Sequence, residues 1–459
     1  MARRLLLTEE VETGTVTIDF VHDSIDILRN PSGSYNADGK VLGQRMESRM
    51  TSKLREIRRD FRRLARLGCA NLFLPERPPT SSQTVREWLS TAAGAEASLC
   101  PVAPAEPARR NIVDIVEPGG GPPGKTVGPD MLPESYVLTI PEGRVVGRDG
   151  VIVTPDDVIL SDLSLDFMAY SRRVGKQRLT CSGNIPRATY QPTRIAVLSS
   201  QCYRNYSHYL FQILPRLDVL NRSGVEVDHY VLNLDRSYHR QLAELTGIDL
   251  AKVISPGRFA HIRAKTLVVP SVTQHNWLTT SGVEFLRSMR DRLPLSNLPD
   301  SATLPSRIYI SRAKTRTRRL ANEKEFVGLL EKRRFARVFL EDLTVGQQIQ
   351  LLGNAEFVIG QHGAGMANLI FCNPGTRVIE IFSPELIDVA FAFLSCQADL
   401  DYEAYVGQMA DWRSRCLKVH SRGMYRISAD MIDDAIHSHN SLAREDKSAE
   451  PGMRRRLAS

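Results

Sequence analysis

The sequence predicts an α/β protein with two Rossmann-like halves, and two series of alternating strand and helix patterns carry that reading. In the first series "RIAVLSS" (194–200), "HYVLN" and "AKTLVVP" read as strands, separated by the helical "NYSHYLFQILPRLDVLNRSG" and "SYHRQLAELTG". In the second, "RIYISR", "RVFLED", "EFVIGQHG" and "TRVIEIF" are strands, and "NEKEFVGLLEKR", "TVGQQIQLLGNA" and "AGMANLIF" are helices. Short apolar strands alternating with amphipathic helices are the pattern of a parallel α/β layer. Ahead of both, "YVLTIPEGRVVGRDGVIVTPDDVILSD" has short β-rich runs broken by Gly, Asp and Pro, the pattern of a small antiparallel sheet.

The organisation expected is an N-terminal extension over 1–130, a β-rich segment with the first Rossmann-like half over 131–295, the second half over 296–435, and a flexible tail over 436–459. A chain of 459 residues has room for roughly two to three domains of about 150 residues. Hydrophobic residues at 42% and charged residues at 24% exclude disordered and fibrous classes.

The 7 cysteines are scattered and never in CxxC spacing, which excludes a zinc ribbon and a disulfide framework and points to a reducing compartment. No apolar run approaches the roughly 18 residues of a membrane span, and "MARRLLLTEEVE" turns acidic too early for a signal peptide. The expectation is a cytoplasmic protein. The net charge of +8 favours anionic partners without selecting one.

Two motifs in the front part need weighing. "RMESRMTSKLREIRRDFRRLARLG" spaces Met46, Met50, Leu54, Ile57, Phe61 and Leu64 as one helical stripe among many arginines. Residues 45–67 can therefore lie on an anionic membrane surface, on the inner face of the membrane, or pack against another subunit, and a solvated helix on its own domain is the alternative. "GGGPPGKT" (119–126) matches the phosphate-cradling GxxxxGK[ST] pattern. That motif requires a helix to begin at the lysine, and the prolines of "VGPDMLP" forbid one, so a loop is expected.

Ligands of open parallel sheets sit beyond the carboxyl ends of the strands. Applied to the second half, this rule selects Ser311 and Arg312, then Glu341 and Asp342, then His362 and Gly363, then Phe382 and Ser383. Gly363 and Gly365 allow the backbone to approach a ligand at the start of a helix, where amides favour phosphate. "SRAKTRTRRLANEKE" adds Arg318 and Arg319 ahead of the N-cap Asn322, and arginine forks suit a diphosphate. In the first half Asn205, His208, Gln212 and Arg216 fall on one helical face; buried polar groups need partners, from a neighbouring strand or from a ligand.

"ISR" with "RRLANE", then "FLEDLTVGQQIQLLGNAEFVIGQHGAGMANLIFCNPGTRVIEI", with the earlier "NYSHYLFQILPRL", resemble glycosyltransferase family 61 over roughly residues 130–415. The resemblance implies a GT-B fold, in which two Rossmann-like domains face a cleft. It also implies inversion at the anomeric carbon, a nucleotide-sugar donor (commonly a UDP-sugar) and no metal or other cofactor. A glycan or lipid-linked glycan would be the acceptor, in surface or capsular polysaccharide synthesis.

Carried over, Arg312 with Arg318 or Arg319 would hold the diphosphate, Asn322 and Glu323 would shape that loop, and Ser311 would lie beside it. His362, Gly363 and Gly365 would line the donor pocket, with Glu380 supporting it. Asn205, His208, Gln212 and Arg216 would belong to the acceptor side. Many relatives carry an acidic residue where this chain has Gln212, and an amide cannot act as a general base. His208 is then the first choice of base, with Glu341 or Asp342 in reserve. "DLD" (399–401) imitates a metal-binding DxD but does not follow a strand end, which makes it structural.

Three other readings stay open at this level. A polysaccharide pyruvyltransferase-like enzyme would share two Rossmann halves, and a non-catalytic glycan-binding protein would bind sugar without turnover. Nucleic-acid binding rests on charge alone, and no nucleic acid partner is expected because the basic residues form no recognised motif.

Overall fold

The computed structural model describes residues 76–437 apart from residue 80, short stretches within 110–128, and 165–184, 273–276, 295–297 and 411–423. The basic helix of residues 45–67 and the tail beyond 437 lie outside the described residues. Everything described falls in the compact unit Arg63–Ser459.

The chain is a mixed α/β protein with two large sheets. In the first, four parallel strands, β1 (Thr189–Val197), β2 (His229–Val231), β3 (Val253–Ile254) and β4 (His261–Pro270), stand in the order β4-β1-β2-β3. β4 also pairs antiparallel with Ser135–Pro141 and Arg144–Val146, which continue the sheet into the β-rich segment. β3 was not anticipated: two residues give too short a run to show a period. Between β1 and β2 lies a helical run whose last part is α1 (Pro215–Ser223), and α2 (Ser237–Leu245) follows β2. α3 (Thr280–Ser288) leads from β4 towards the second sheet.

The second sheet is parallel throughout. Its strands are β5 (Arg307–Ile310), β6 (Ala336–Val338), β7 (Phe357–Gln361), β8 (Arg377–Phe382) and β9 (Asp401–Val406), in the order β6-β5-β7-β8-β9. All residues of β7 and β8 are buried, as expected of central strands covered on both faces. The helices are α4 (Glu323–Lys332), α5 (Val345–Asn354) and α6 (Ala390–Gln397). α5 starts at Thr344, whose hydroxyl accepts from the Gln347 amide while the Gln347 side chain returns to Thr344, a capping box written as "TVGQ". The strand order reverses between β5 and β7, so the loops leaving those two strands diverge and open a crevice at their carboxyl ends.

Two expectations are corrected. Residues 81–116 are not an extension apart from the sheets: Ser98–Ala103 pairs with Ser135–Pro141, and Ile115–Val116 pairs parallel with β9. Such short β-branched pairs acquire structure only from the edge they join. "AGMANLIF" forms a 3-10 helix, Ala364–Phe371, rather than an α-helix. Met366 is drawn down onto β7, where a Cβ on Gly360 would lie 2.3 Å from its sulfur.

Lys125–Thr126 pairs antiparallel with Ile112–Val113, so the lysine of "GGGPPGKT" lies in an extended segment instead of opening a helix. One buried cluster contains Ala196 and Val268 of the first sheet, Ile308 and Val358 of the second, and Met366 of the 3-10 helix. Among the described residues no helix is long and apolar enough to cross a membrane.

Candidate active site

Two adjoining cavities occupy the crevice beyond β5 and β7. One, of about 520 Å³, is lined by Asn205, His208, Trp277, Arg318, His362, Gly363, Asp388 and Phe391 among others. The second, of about 410 Å³, is lined by Tyr206, Tyr238, Ser311, Arg312, Glu341, Gln361, Gly365 and Asn368 among others. Ala364 borders both. Tyr206 donates to Asn368 Oδ1 at 2.7 Å, which ties the first half to the second beside this boundary.

Arg312 and Arg318 are the cationic feature of the site. Arg312 follows β5, and the turn behind it is closed by the Thr315 amide donating to the Arg312 carbonyl at 2.9 Å. Arg318 sits at φ 53, a left-handed conformation that costs a non-glycine residue on the order of 1 kcal/mol or more. The loop is held there from outside, because the Tyr425 amide donates to the Arg319 carbonyl and the Ala321 amide to the Tyr425 carbonyl.

Burial, followed by the neighbouring Arg318 charge, lowers the Arg312 guanidinium to about 10; burial likewise lowers Arg318. Both remain cationic at neutral pH. The Nε of each is buried without a hydrogen-bond partner among the described residues. Cations held close together with unused donors form an anion cradle.

Gly363 makes that cradle possible. Its backbone is extended (φ 166), so alanine would not strain it. A Cβ there, however, would lie 1.8 Å from Arg312 Nη1. The guanidinium is the far end of a flexible side chain and would swing away. Gly363→Ala is therefore expected to leave the melting temperature nearly unchanged and weaken pyrophosphate binding at least about tenfold, the scale of one charge-assisted hydrogen bond; calorimetry with pyrophosphate checks both the loss and its size.

His362 extends β7, its amide donating to the Ile381 carbonyl at 2.9 Å. The residue is only 6% exposed, and its ring is tilted against Phe382 and Phe391 with centroids 5.1 and 5.4 Å away. Nδ1 lies 2.7 Å from Oε1 of the fully buried Glu380. Tyr402 donates to the other carboxylate oxygen at 2.6 Å, and burial followed by the Glu380 charge holds its phenol protonated. With Nδ1–H donating to Glu380, the tautomer is fixed and Nε2 is the nitrogen presented to the cavity.

The helix after β1 supplies the opposite wall. Asn205 caps it, accepting from the Ser207 amide at 3.0 Å, and Tyr206–His208 form its first turn. Tyr209–Ile213 then widens into a π-helical turn, marked by the Leu214 amide donating to the Tyr209 carbonyl at 3.2 Å. The extra residue divides the polar stripe expected on one face. Asn205 and His208 line the cleft, whereas Gln212 and Arg216 line a separate void of about 20 Å³. His208 Nδ1 is 3.2 Å from Gln212 Oε1.

Several expected residues are placed elsewhere. Arg216 spends its guanidinium on the carbonyls of Pro270 and Ser199, at 3.0 and 2.9 Å, joining two strand ends from inside the core. Asn322 bonds the Ile427 carbonyl at 2.9 Å, and Glu323 accepts from Tyr309 and Ser311 while pairing with Arg337. These residues hold the arginine loop from behind. Arg319 is exposed outside both cavities, so Arg318 is the partner of Arg312. Asp342 pairs with Lys314, and Glu341 borders the cavity that lacks His208. Asp399 pairs with Arg109 at 2.7 Å and Asp401 opens β9, both outside the cleft.

Asp388, Trp277 and Tyr402 were missed. Asp388 lies on the loop after β8, a strand end that the carboxyl-edge rule reaches if extended beyond Ser383. No pattern distinguishes Trp277 or Tyr402 in the sequence.

Burial depresses the basicity of His208, an effect partly offset by its bond to Gln212 and the charge of Asp388; burial does the same to His261 at the start of β4. The folded pKa of each lies below its ordinary 6.5, so the unfolded chain takes up protons first and stability falls as pH drops through that value. The urea midpoint is expected to decrease between neutral pH and about pH 5.5, less so in His208→Asn. A wild-type midpoint that does not change over this interval contradicts the assignment.

Fold and site together give an α/β protein in which two neighbouring arginines and two histidines line adjoining cavities at the carboxyl edge of a parallel sheet. Residues 206–379 match the family Glycosyltransferase 61. A stretch of 94 residues is 32% identical to Beta-1,2-xylosyltransferase RCN11 of Oryza sativa subsp. japonica, covering 19% of this chain and 18% of that protein. The chain thus matches less than a fifth of the length of this curated relative. Both comparisons support a glycosyltransferase. The matched segment includes His208, Arg312, Arg318 and His362 and stops one residue before Glu380.

Proposed function

We propose that the chain is an inverting, metal-independent glycosyltransferase of the GT-B type, moving a sugar from a nucleotide-sugar donor, a UDP-sugar, to a glycan or lipid-linked glycan in surface polysaccharide synthesis. The observation that carries this reading is the pair Arg312 and Arg318, cationic and half-buried, each with a buried Nε that no group among the described residues engages. A leaving diphosphate supplies the missing acceptors and offsets the cost of holding two guanidinium groups together.

In this mechanism Arg312 and Arg318 stabilise the charge that develops on the diphosphate as the anomeric C–O bond breaks. His362 Nε2, oriented by Glu380 and Tyr402, contacts the donor near the leaving oxygen. His208, whose basicity burial lowers, accepts the proton of the acceptor hydroxyl. The second cavity, beside Arg312, receives the rest of the nucleotide.

The test is a thermal-shift screen of the full chain against UDP-, GDP-, CMP- and TDP-sugars, since a ligand bound only by the native state raises its stability. Selective stabilisation by UDP and UDP-sugars is expected. Indifference to every nucleotide would remove the donor site.

A further inference from the structure

His208 needs something that its own helix does not provide. Taking up a proton creates an imidazolium in a largely buried position, and the group bonded to Nδ1 is Gln212, whose amide carries no charge. A neutral carbonyl orients the ring but does little to stabilise the cation. Among the described residues, the charged groups that share the cleft with His208 are Arg318 from the β5–α4 loop and Asp388 from the β8–α6 loop, with His362 at the end of β7. Arg318 has the wrong sign. Among the described residues Asp388 is the acidic side chain lining this cleft, and the Ala390 amide donates to its Oδ1 at 3.0 Å.

We propose that Asp388 is the acidic partner of His208 in proton transfer, supplying from the opposite wall of the cleft the negative charge that Gln212 lacks. This rests on reading the cleft as the site of sugar transfer. The acceptor oxygen forms its bond to the anomeric carbon as the bond from that carbon to the diphosphate oxygen breaks, with the electron pair leaving on the diphosphate. The acceptor proton passes to His208 Nε2 while Nδ1–H remains bonded to Gln212 Oε1, and the Asp388 carboxylate stabilises the resulting imidazolium. Asp388 acts through His208 and is a positioning residue. Its charge already opposes the effect of burial on His208, and it also acts on Arg318.

The experiment compares wild type, Asp388→Asn and Asp388→Asn/Gln212→Glu as full chains. UDP affinity is measured by calorimetry, UDP release from the most stabilising UDP-sugar as a function of pH, and the titration of His208 by NMR. Asp388 is exposed, so Asp388→Asn should fold. Expected for Asp388→Asn are UDP affinity within about twofold, a turnover loss of at least about tenfold, and a His208 midpoint moved to lower pH with the acid limb of the rate profile following it. Returning a charge through Gln212→Glu should recover part of the turnover, which a purely structural role for Asp388 would not permit.

Unchanged turnover and an unmoved His208 midpoint in Asp388→Asn overturn the pairing. So does a loss of UDP affinity that matches the loss of turnover, because Asp388 would then act on the donor through Arg318. Failure of wild type to bind UDP overturns the donor reading, and this inference with it.

Discussion

Arg312→Ala is expected to weaken UDP binding about 100-fold while leaving the melting temperature unchanged or slightly raised. Each charge-assisted hydrogen bond is worth about 1.5–3 kcal/mol, so losing a two-pronged contact to phosphate costs roughly 3 kcal/mol or more. The folded protein loses little in exchange. The protein contact of the Arg312 side chain is a long 3.5 Å bond from Nη2 to the Thr317 carbonyl, and its neighbour Arg318 repels it. This opposition of effects separates a ligand cradle from a structural arginine such as Arg216, whose replacement by alanine would strand the carbonyls of Pro270 and Ser199 inside the core. Calorimetry with UDP and thermal denaturation of the same preparations measure the two quantities. Equal UDP affinity in wild type and Arg312→Ala would take the arginine out of the site.

The second large effect is expected at His362. Asparagine there can still donate to Glu380 and fits the turn before Gly363, so His362→Asn should retain a cooperative melt and bind UDP within a few-fold of wild type. Turnover should fall by on the order of 100-fold or more, the usual scale for a positioned acid-base or electrostatic group. The buried pair of His362 and Glu380, completed by Tyr402, makes sense as a device that fixes which ring nitrogen faces the donor. Initial rates of UDP release with saturating donor decide the matter. Full turnover in His362→Asn would leave the histidine as a residue of the bend.

The parallel strands of the second half are legible because each is an apolar run followed by an amphipathic helix, and the carboxyl-edge rule places Arg312 and His362 at the rim where the structure has them. Periodicity could not show that Arg318 rather than Arg319 turns inward. That choice depends on a left-handed residue held by Tyr425, more than a hundred positions away. Nor could it separate Arg216 from the cleft, since a helical wheel assumes uniform winding and this helix does not have it. Ile115–Val116 escaped for a different reason: two residues acquire a role only from the β9 edge they meet.

The wide turn at Tyr209–Ile213 leaves the run one residue richer than an α-helix between the same end points. Rewinding the run as α-helix at its present length would rotate its two ends relative to each other by about 100°. α1 is anchored by Arg216 to the ends of β1 and β4, so the rotation would fall on the first turn and carry His208 out of the cleft. The surplus residue acts as a phase offset between an anchored half and a working half of one helix. A single-residue deletion within the turn should therefore be tolerated better than one in α1, because it closes the wide turn without rotating either half.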